Sequence, residues 1–176
     1  RGLRLTTQAY LGALRACERM HRKYGWRRAT ILLEDLRREL EEEGGGGGAP
    51  PPPPIEAYRS TMKTFARAGQ SGRAVALLKE LQLRGLEPDV VTYTAAISAC
   101  LAQGSTARAL GVWEEMRRPG RDGRTPRCAP NAATYTVILR SCASSRKWAS
   151  ALGLIEEMWA SSSSSSSAAA AAAGGA

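Results

Sequence analysis

Aromatic and metal-binding side chains are scarce in this 176-residue chain, which holds one phenylalanine, one histidine and four cysteines. No two cysteines form a C-x-x-C pair, and His21 stands alone, so no zinc site is expected. No apolar run approaches the roughly 20 residues that a helical bilayer span requires, and no membrane insertion is expected. Acidic residues are outnumbered, 16 against 25 lysines and arginines, for a formal net charge of +9. That balance favours either a polyanionic partner or a solvated basic surface. Residue 1 is arginine, and no charged-then-apolar leader precedes the first helical pattern. A targeting peptide is therefore expected to be absent or already removed, and the chain reads as a fragment.

Catalytic groupings are missing too. There is no acidic metal cluster, no H-x-E accompanying C-x-x-C, and no serine or cysteine nucleophile beside a histidine, so the segment is expected not to be an enzyme and to carry no cofactor. The pairs Glu114-Glu115 and Glu156-Glu157 recur at one phase of a repeat and read as solvated helix positions.

What the chain does contain is self-similarity. VVTYTAAISACLAQGSTARALGVWEEM at residues 90–116 returns as AATYTVILRSCASSRKWASALGLIEEM at residues 132–158. Aligning on the tyrosine finds two further copies, one starting at Ile55 with Tyr58 and a divergent one with Tyr10. The spacing from tyrosine to the alanine of the second half is 19 residues in the first copy and 16 in the other three, so the first copy carries three extra residues between its halves. Cys17, Cys100 and Cys142 share one phase, where the second copy has Phe65. A slot that exchanges cysteine for phenylalanine is an apolar core slot, and the thiols are expected to be reduced.

Within each copy the first half places apolar residues at offsets 0, 4 and 7 from the tyrosine: Tyr10, Leu14, Cys17; Tyr58, Met62, Phe65; Tyr93, Ile97, Cys100; Tyr135, Leu139, Cys142. The second half uses offsets 0, 3, 4 and 7 from its alanine, as in Ala29, Leu32, Leu33, Leu36 and Ala109, Val112, Trp113, Met116. Both patterns are amphipathic helices. Gly69 and Gly104 fall between the halves, where a left-handed residue ends a helix, and Pro88 and Pro130 stop the second helix. Small residues Ala16, Thr64, Ala99 and Ser141 precede the cysteine or phenylalanine and would permit close helix approach. A lone hairpin cannot cover its own apolar stripe, so hairpins must stack on their neighbours.

The organisation is then a divergent hairpin at 1–43, a Gly/Pro linker at 44–54, repeats at 55–89, 90–131 and 132–160, and a Ser/Ala tail at 161–176. The stretch RRPGRDGRTPRCAPN after Met116 is an insertion, either a tolerant surface loop or a basic finger.

A 35-residue unit with an early tyrosine, glycine between helices, alanine in the second helix and Pro-Asp or Pro-Asn at its end resembles the pentatricopeptide repeat family. VVTYTAAISAC and the EPD of residues 87–89 carry the resemblance most strongly, over residues 7–160. It implies an all-α fold, a right-handed α-solenoid of about four stacked helix-turn-helix hairpins. It also implies single-stranded RNA binding in a chloroplast or mitochondrion, in RNA processing, stability or translation, at roughly one base per repeat. The family's base readers, the residue after the tyrosine and the residue closing the repeat, correspond to Arg59 with Asp89, Thr94 with Asn131, and Thr136 in the fourth repeat; in repeat two the base-packing slot holds Glu56 and Arg59 is not a usual reader of the family, so no base is assigned there. Val91 matches the apolar residue that packs on the base. Leu11, in the first repeat, is not expected to read a base.

Residues four and eight positions beyond each reader lie near the same helix face. Arg15, Arg19, Lys63, Arg67 and Arg140 occupy those positions, none of which is acidic, and are the expected phosphate contacts. Two other readings stand beside RNA binding: a protein-interaction scaffold that engages other RNA-processing proteins, and the substrate-holding arm of a larger RNA-processing enzyme.

Overall fold

The computed structural model describes residues 6–43, 51–118, 128–144, 149, 151–156 and 158–159. Its helices are α1 (Thr7–Arg19), α2 (Arg22–Glu43), α3 (Ile55–Ala68), α4 (Ser71–Leu83), α5 (Val90–Ala102), α6 (Thr106–Arg117) and α7 (Ala132–Ser144). Helical backbone resumes at residues 151–156. The chain forms two compact units, Arg1–Ala129 and Pro130–Ala176. Most of the inserted loop, the start of the linker and the Ser/Ala tail lie outside the described residues.

In the first unit three helical hairpins stack as an all-α solenoid. α3 packs between α1 and α5, while α2 rests on α3 and α4 on α5. First helices α1, α3 and α5 therefore touch one another in a row, α2 and α4 each seat against their own first helix and that of the following repeat, and α6 seats against α5. The stripes anticipated from periodicity make this contact. Tyr58, Met62, Tyr93, Ile97, Leu14, Leu36, Leu78, Leu81 and Met116 are fully buried. Truncating one such aliphatic side chain to alanine costs about 2–5 kcal/mol.

The turns inside repeats two and three follow the expected glycine chemistry. Gly69 (φ 68) and Gly104 (φ 76) adopt the left-handed conformation. In each turn two amides return to the ending helix: Gly69 N–H to the Ala66 carbonyl and Gln70 N–H to that of Phe65, Gly104 N–H to Leu101 and Ser105 N–H to Cys100. A Cβ would be strained at either glycine. The first repeat solves its turn differently. Its extra residues do not form a loop: α2 begins seven residues before Ala29, where α4 and α6 begin three before Ala74 and Ala109, so α2 is longer at its start by four residues, about one turn, and Ala29 nearly keeps its phase. Gly25 makes this possible, since a Cβ there would lie 2.8 Å from the Cys17 carbonyl oxygen.

Three core expectations shift. Leu139 and Leu32 are half-buried, and in α7 Ile138 takes the deep place, at 1% exposure. Offsets three and four straddle one stripe, so a small rotation exchanges them. Thr64 and Ala99 are buried as small contact residues, whereas Ala16 is exposed, because α1 turns its packed side toward α2 and α3.

Candidate nucleic-acid interface

The residue closing one repeat opens the first helix of the next. Asp89 holds extended backbone (φ −95, ψ 176) ahead of α5, and its Oδ1 accepts the Thr92 amide at 3.0 Å and the Thr92 hydroxyl at 2.6 Å. Asn131 does the same for α7, its Oδ1 accepting the Thr134 amide and hydroxyl at 3.0 Å each. These are N-caps that satisfy otherwise orphaned helix donors. Capping uses one head-group atom and leaves the other, Oδ2 of Asp89 or Nδ2 of Asn131, to face elsewhere. Before α3 the cap is Pro54, which has no side chain to offer.

In repeat two the remaining atom is engaged: an Arg59 Nη2 donor forms an ion pair with Asp89 Oδ2. The residue after the tyrosine and the residue closing the repeat thus meet side chain to side chain. Burial pushes the Asp89 carboxyl up, but the Thr92 hydroxyl and amide and the Arg59 guanidinium outweigh it and hold the group below the usual aspartate value of 3.8.

On α5, Val91 is 42% exposed although apolar, and Thr94, one turn on along the same face, is half-buried. On α7, Thr136 is exposed; its hydroxyl donates to the Ala132 carbonyl at 2.7 Å, which leaves its lone pairs to accept. Arg140, one turn further, is exposed as well. Leu11, in the first repeat, is buried at 8%.

The cationic positions differ among themselves. Arg15, Arg19 and Arg67 are exposed and make no ion pair among the described residues. Lys63 Nζ lies 3.8 Å from Glu18 Oε2, a carboxylate that stands beside the line of slots rather than in it. The face is therefore less uniformly positive than the slot pattern suggested, because neighbouring helix α1 contributes a residue that a single-helix projection omits. Thr92 and Thr134 were also overlooked, although Asp-x-x-Thr and Asn-x-x-Thr before an apolar run are readable cap signals. Glu115 departs from expectation: it is half-buried and accepts from Gln82 Nε2 at 2.7 Å, and the same Gln82 amide approaches the Tyr93 hydroxyl at 3.3 Å.

Burial pushes the thiols of Cys17 and Cys100 up from their usual value, which leaves little thiolate for chemistry. Among the described residues no cluster of three or more His, Cys, Asp or Glu is placed to hold a metal. No helix among them is long and apolar enough to cross a membrane. A cleft of about 180 Å³ between α2, α3 and α4, with Arg37, Arg73 and Glu80 at its rim, is small beside the roughly 300–1,000 Å³ of ordinary ligand pockets. The site is a surface.

Two family models match the sequence, one described as pentatricopeptide repeat domain over residues 76–145 and one as PPR repeat over residues 133–162. A chloroplastic pentatricopeptide repeat-containing protein of Arabidopsis thaliana is 33% identical over 60 residues, which cover 34% of this chain and 7% of that protein's length. Among solved structures, the PPR domain of Arabidopsis thaliana protein-only RNase P 1, crystallised in complex with tRNA, superposes with a TM-score of 0.65 at 13% identity, covering 89% of this chain and 72% of that one. The fold is the same, the repeat length and its punctuation agree, and the sequence models fall on the repeats: residues 76–162 of the chain are pentatricopeptide repeats.

Proposed function

We propose that the chain binds single-stranded RNA along the row of first helices. The observation that carries this is the contact between Arg59 and Asp89. In repeat two the residue after the tyrosine and the residue closing the repeat lie within reach of one another, which supports the view that the same two positions in a repeat with neutral residues could hold the edge of one base. Thr94 and Asn131 occupy the same two sequence positions in repeat three, with a hydroxyl able both to donate and to accept and, beyond the capping Oδ1, an amide Nδ2 able to donate, a pairing that resembles the family's adenine-preferring combination. Val91 offers the apolar face on which a base packs, and Thr136 is the corresponding reader of the fourth repeat.

Arg15, Arg19, Lys63, Arg67 and Arg140 supply phosphate contacts, so binding is mainly electrostatic and falls with salt. With few complete readers, base selectivity of this segment is slight. The chloroplastic relative supports an organellar setting, and the family supports a role in RNA processing, stability or translation. The segment itself is a binding module and not a catalyst; other RNA-processing proteins are its further partners.

Titration of the chain with unstructured RNA at several salt concentrations tests this. Arg15→Glu/Lys63→Glu/Arg67→Glu is expected to weaken binding about tenfold or more and to flatten the salt dependence by about two units of slope. Equal binding by wild type and variant would rule out the first-helix surface.

A further inference from the structure

A second group of cations lies at the edge of the first unit where first helices turn into second helices. α2 opens with Arg22 and Lys23 and continues with Arg27 and Arg28, while Arg73 and Arg108 stand in the first turns of α4 and α6; all six are exposed. None of these three helices has an acidic residue in its first turn. The nearest acid along α2 is Glu34, twelve residues and about 18 Å beyond Arg22. Helix N-termini are electropositive, so cations there oppose the helix dipole.

The way these cations are held is the decisive point. Arg37, Arg38, Arg59, Lys63 and Arg84 all meet carboxylates. The edge cations instead meet neutral groups. Arg73 of α4 stacks 4.6 Å from the centre of the Trp26 ring of α2, and Arg27 lies 5.2 Å from the same ring. Arg22 Nε donates to the Arg67 carbonyl of α3. Arg108 of α6 donates to the Ser71 hydroxyl of α4 at 3.2 Å. Three of these contacts cross between one repeat and the next, so the guanidinium groups are held in place without an ion pair among the described residues, although Glu34 and Glu80 share a cleft with Arg73. Tyr24, 53% exposed, with Lys23 at 5.7 Å from its ring and the His21 ring beside it, adds an aromatic surface at the start of α2. An edge that carries held guanidinium groups without ion pairs, together with an exposed aromatic ring, suits a phosphate backbone with an unpaired base.

We propose that this turn edge is a second RNA-contact surface, on which Arg22, Arg27, Arg73 and Arg108 hold phosphates and Tyr24 stacks one unpaired base. It rests on the first-helix reading in one respect: Arg67, on that face, is joined to Arg22 on the edge, so a strand leaving the first-helix row at Arg67 passes directly onto α2. The RNA bound by this chain is then longer than the repeats alone would hold.

The test uses the whole chain, two uridylate strands of about 8 and about 24 nucleotides, and phosphatidylglycerol vesicles. Lys23→Glu/Arg27→Glu/Arg73→Glu is expected to weaken the long strand about tenfold, to lower its salt slope by about two and to change the short strand little. Tyr24→Ala is expected to weaken the long strand by roughly five- to hundredfold. The reversals at Lys23 and Arg73 place acids in first turns, which offsets the lost stacking on Trp26, and helicity read by circular dichroism at the assay temperature separates a lost contact from a lost fold. Unchanged binding of the long strand by both variants overturns the proposal while leaving the first-helix reading intact. Loss of vesicle binding with RNA affinity unaltered also overturns it, and assigns the edge to a lipid surface. Loss of long-strand binding in the edge variant alone, with the first-helix variant unaffected, supports the edge and sinks the other reading.

Discussion

Arg37 of α2 and Glu80 of α4 meet at 2.8 Å, tying the second helix of the first repeat to that of the second, with the Arg37 guanidinium 5.6 Å from the Tyr58 ring centre. Glu80 also accepts from Arg84 Nε at 3.0 Å. The pair is partly shielded, its side chains 18% and 30% exposed. Glu80→Ala leaves a guanidinium in a half-buried position without its acceptor and is expected to cost about 1.5 kcal/mol. Glu80→Gln, which keeps a hydrogen bond, should cost less, and urea unfolding followed by circular dichroism measures the difference.

Asp89 makes stability depend on pH. Its folded pKa lies below the unfolded value, so its contribution is fully present above the ordinary carboxylate range and is lost as pH falls through about 5 to 3 and below. Asp89→Ala is expected to cost about 1 kcal/mol near neutrality through loss of the cap. The gap between wild type and variant should narrow as the pH falls below the usual aspartate value of 3.8, which thermal melts at a series of pH values detect; a gap unchanged between neutrality and strong acid contradicts the assignment.

Ala16 and Ala99 hold one repeat position with opposite surroundings, exposed in α1 and fully buried in α5 where α3 packs. Ala99→Leu is expected to destabilise by about 1–3 kcal/mol by forcing the two first helices apart. Ala16→Leu should change stability by less than about 0.5 kcal/mol. Comparable effects from both substitutions would contradict the stacking order.

Glycines within helices separate in the same way. Gly111 of α6 is exposed, with nothing within 4 Å of an added Cβ, so Gly111→Ala should stabilise by about 0.5–1 kcal/mol through helix propensity. Gly25→Ala meets the Cys17 carbonyl oxygen at 2.8 Å and should destabilise despite the same propensity gain. Differential scanning calorimetry of the two variants gives opposite signs of shift in Tm.

Periodicity revealed the hairpins, their core stripes and their glycine turns because each depends on residues close together in sequence. Tyr58, Met62, Phe65 and Gly69 all state their roles within one helix and its turn. What escaped that reading depends on the neighbouring repeat. Glu18 reaches Lys63 from another first helix, and Gln82 recruits Glu115 from the next second helix. The fixing of Arg73 by Trp26 is equally invisible until α2 and α4 are set side by side. In the first repeat the sequence located extra residues correctly, but only the near coincidence of three residues with a helical turn explains why they extend α2.

The capping duty of Asp89 and Asn131 restricts how these repeats can diversify. On the proposed reading a side chain at that junction faces a base as well as beginning a helix, so its alphabet shrinks to the few short polar residues that can do both. Recoding such a position would then also perturb how firmly the following hairpin is started.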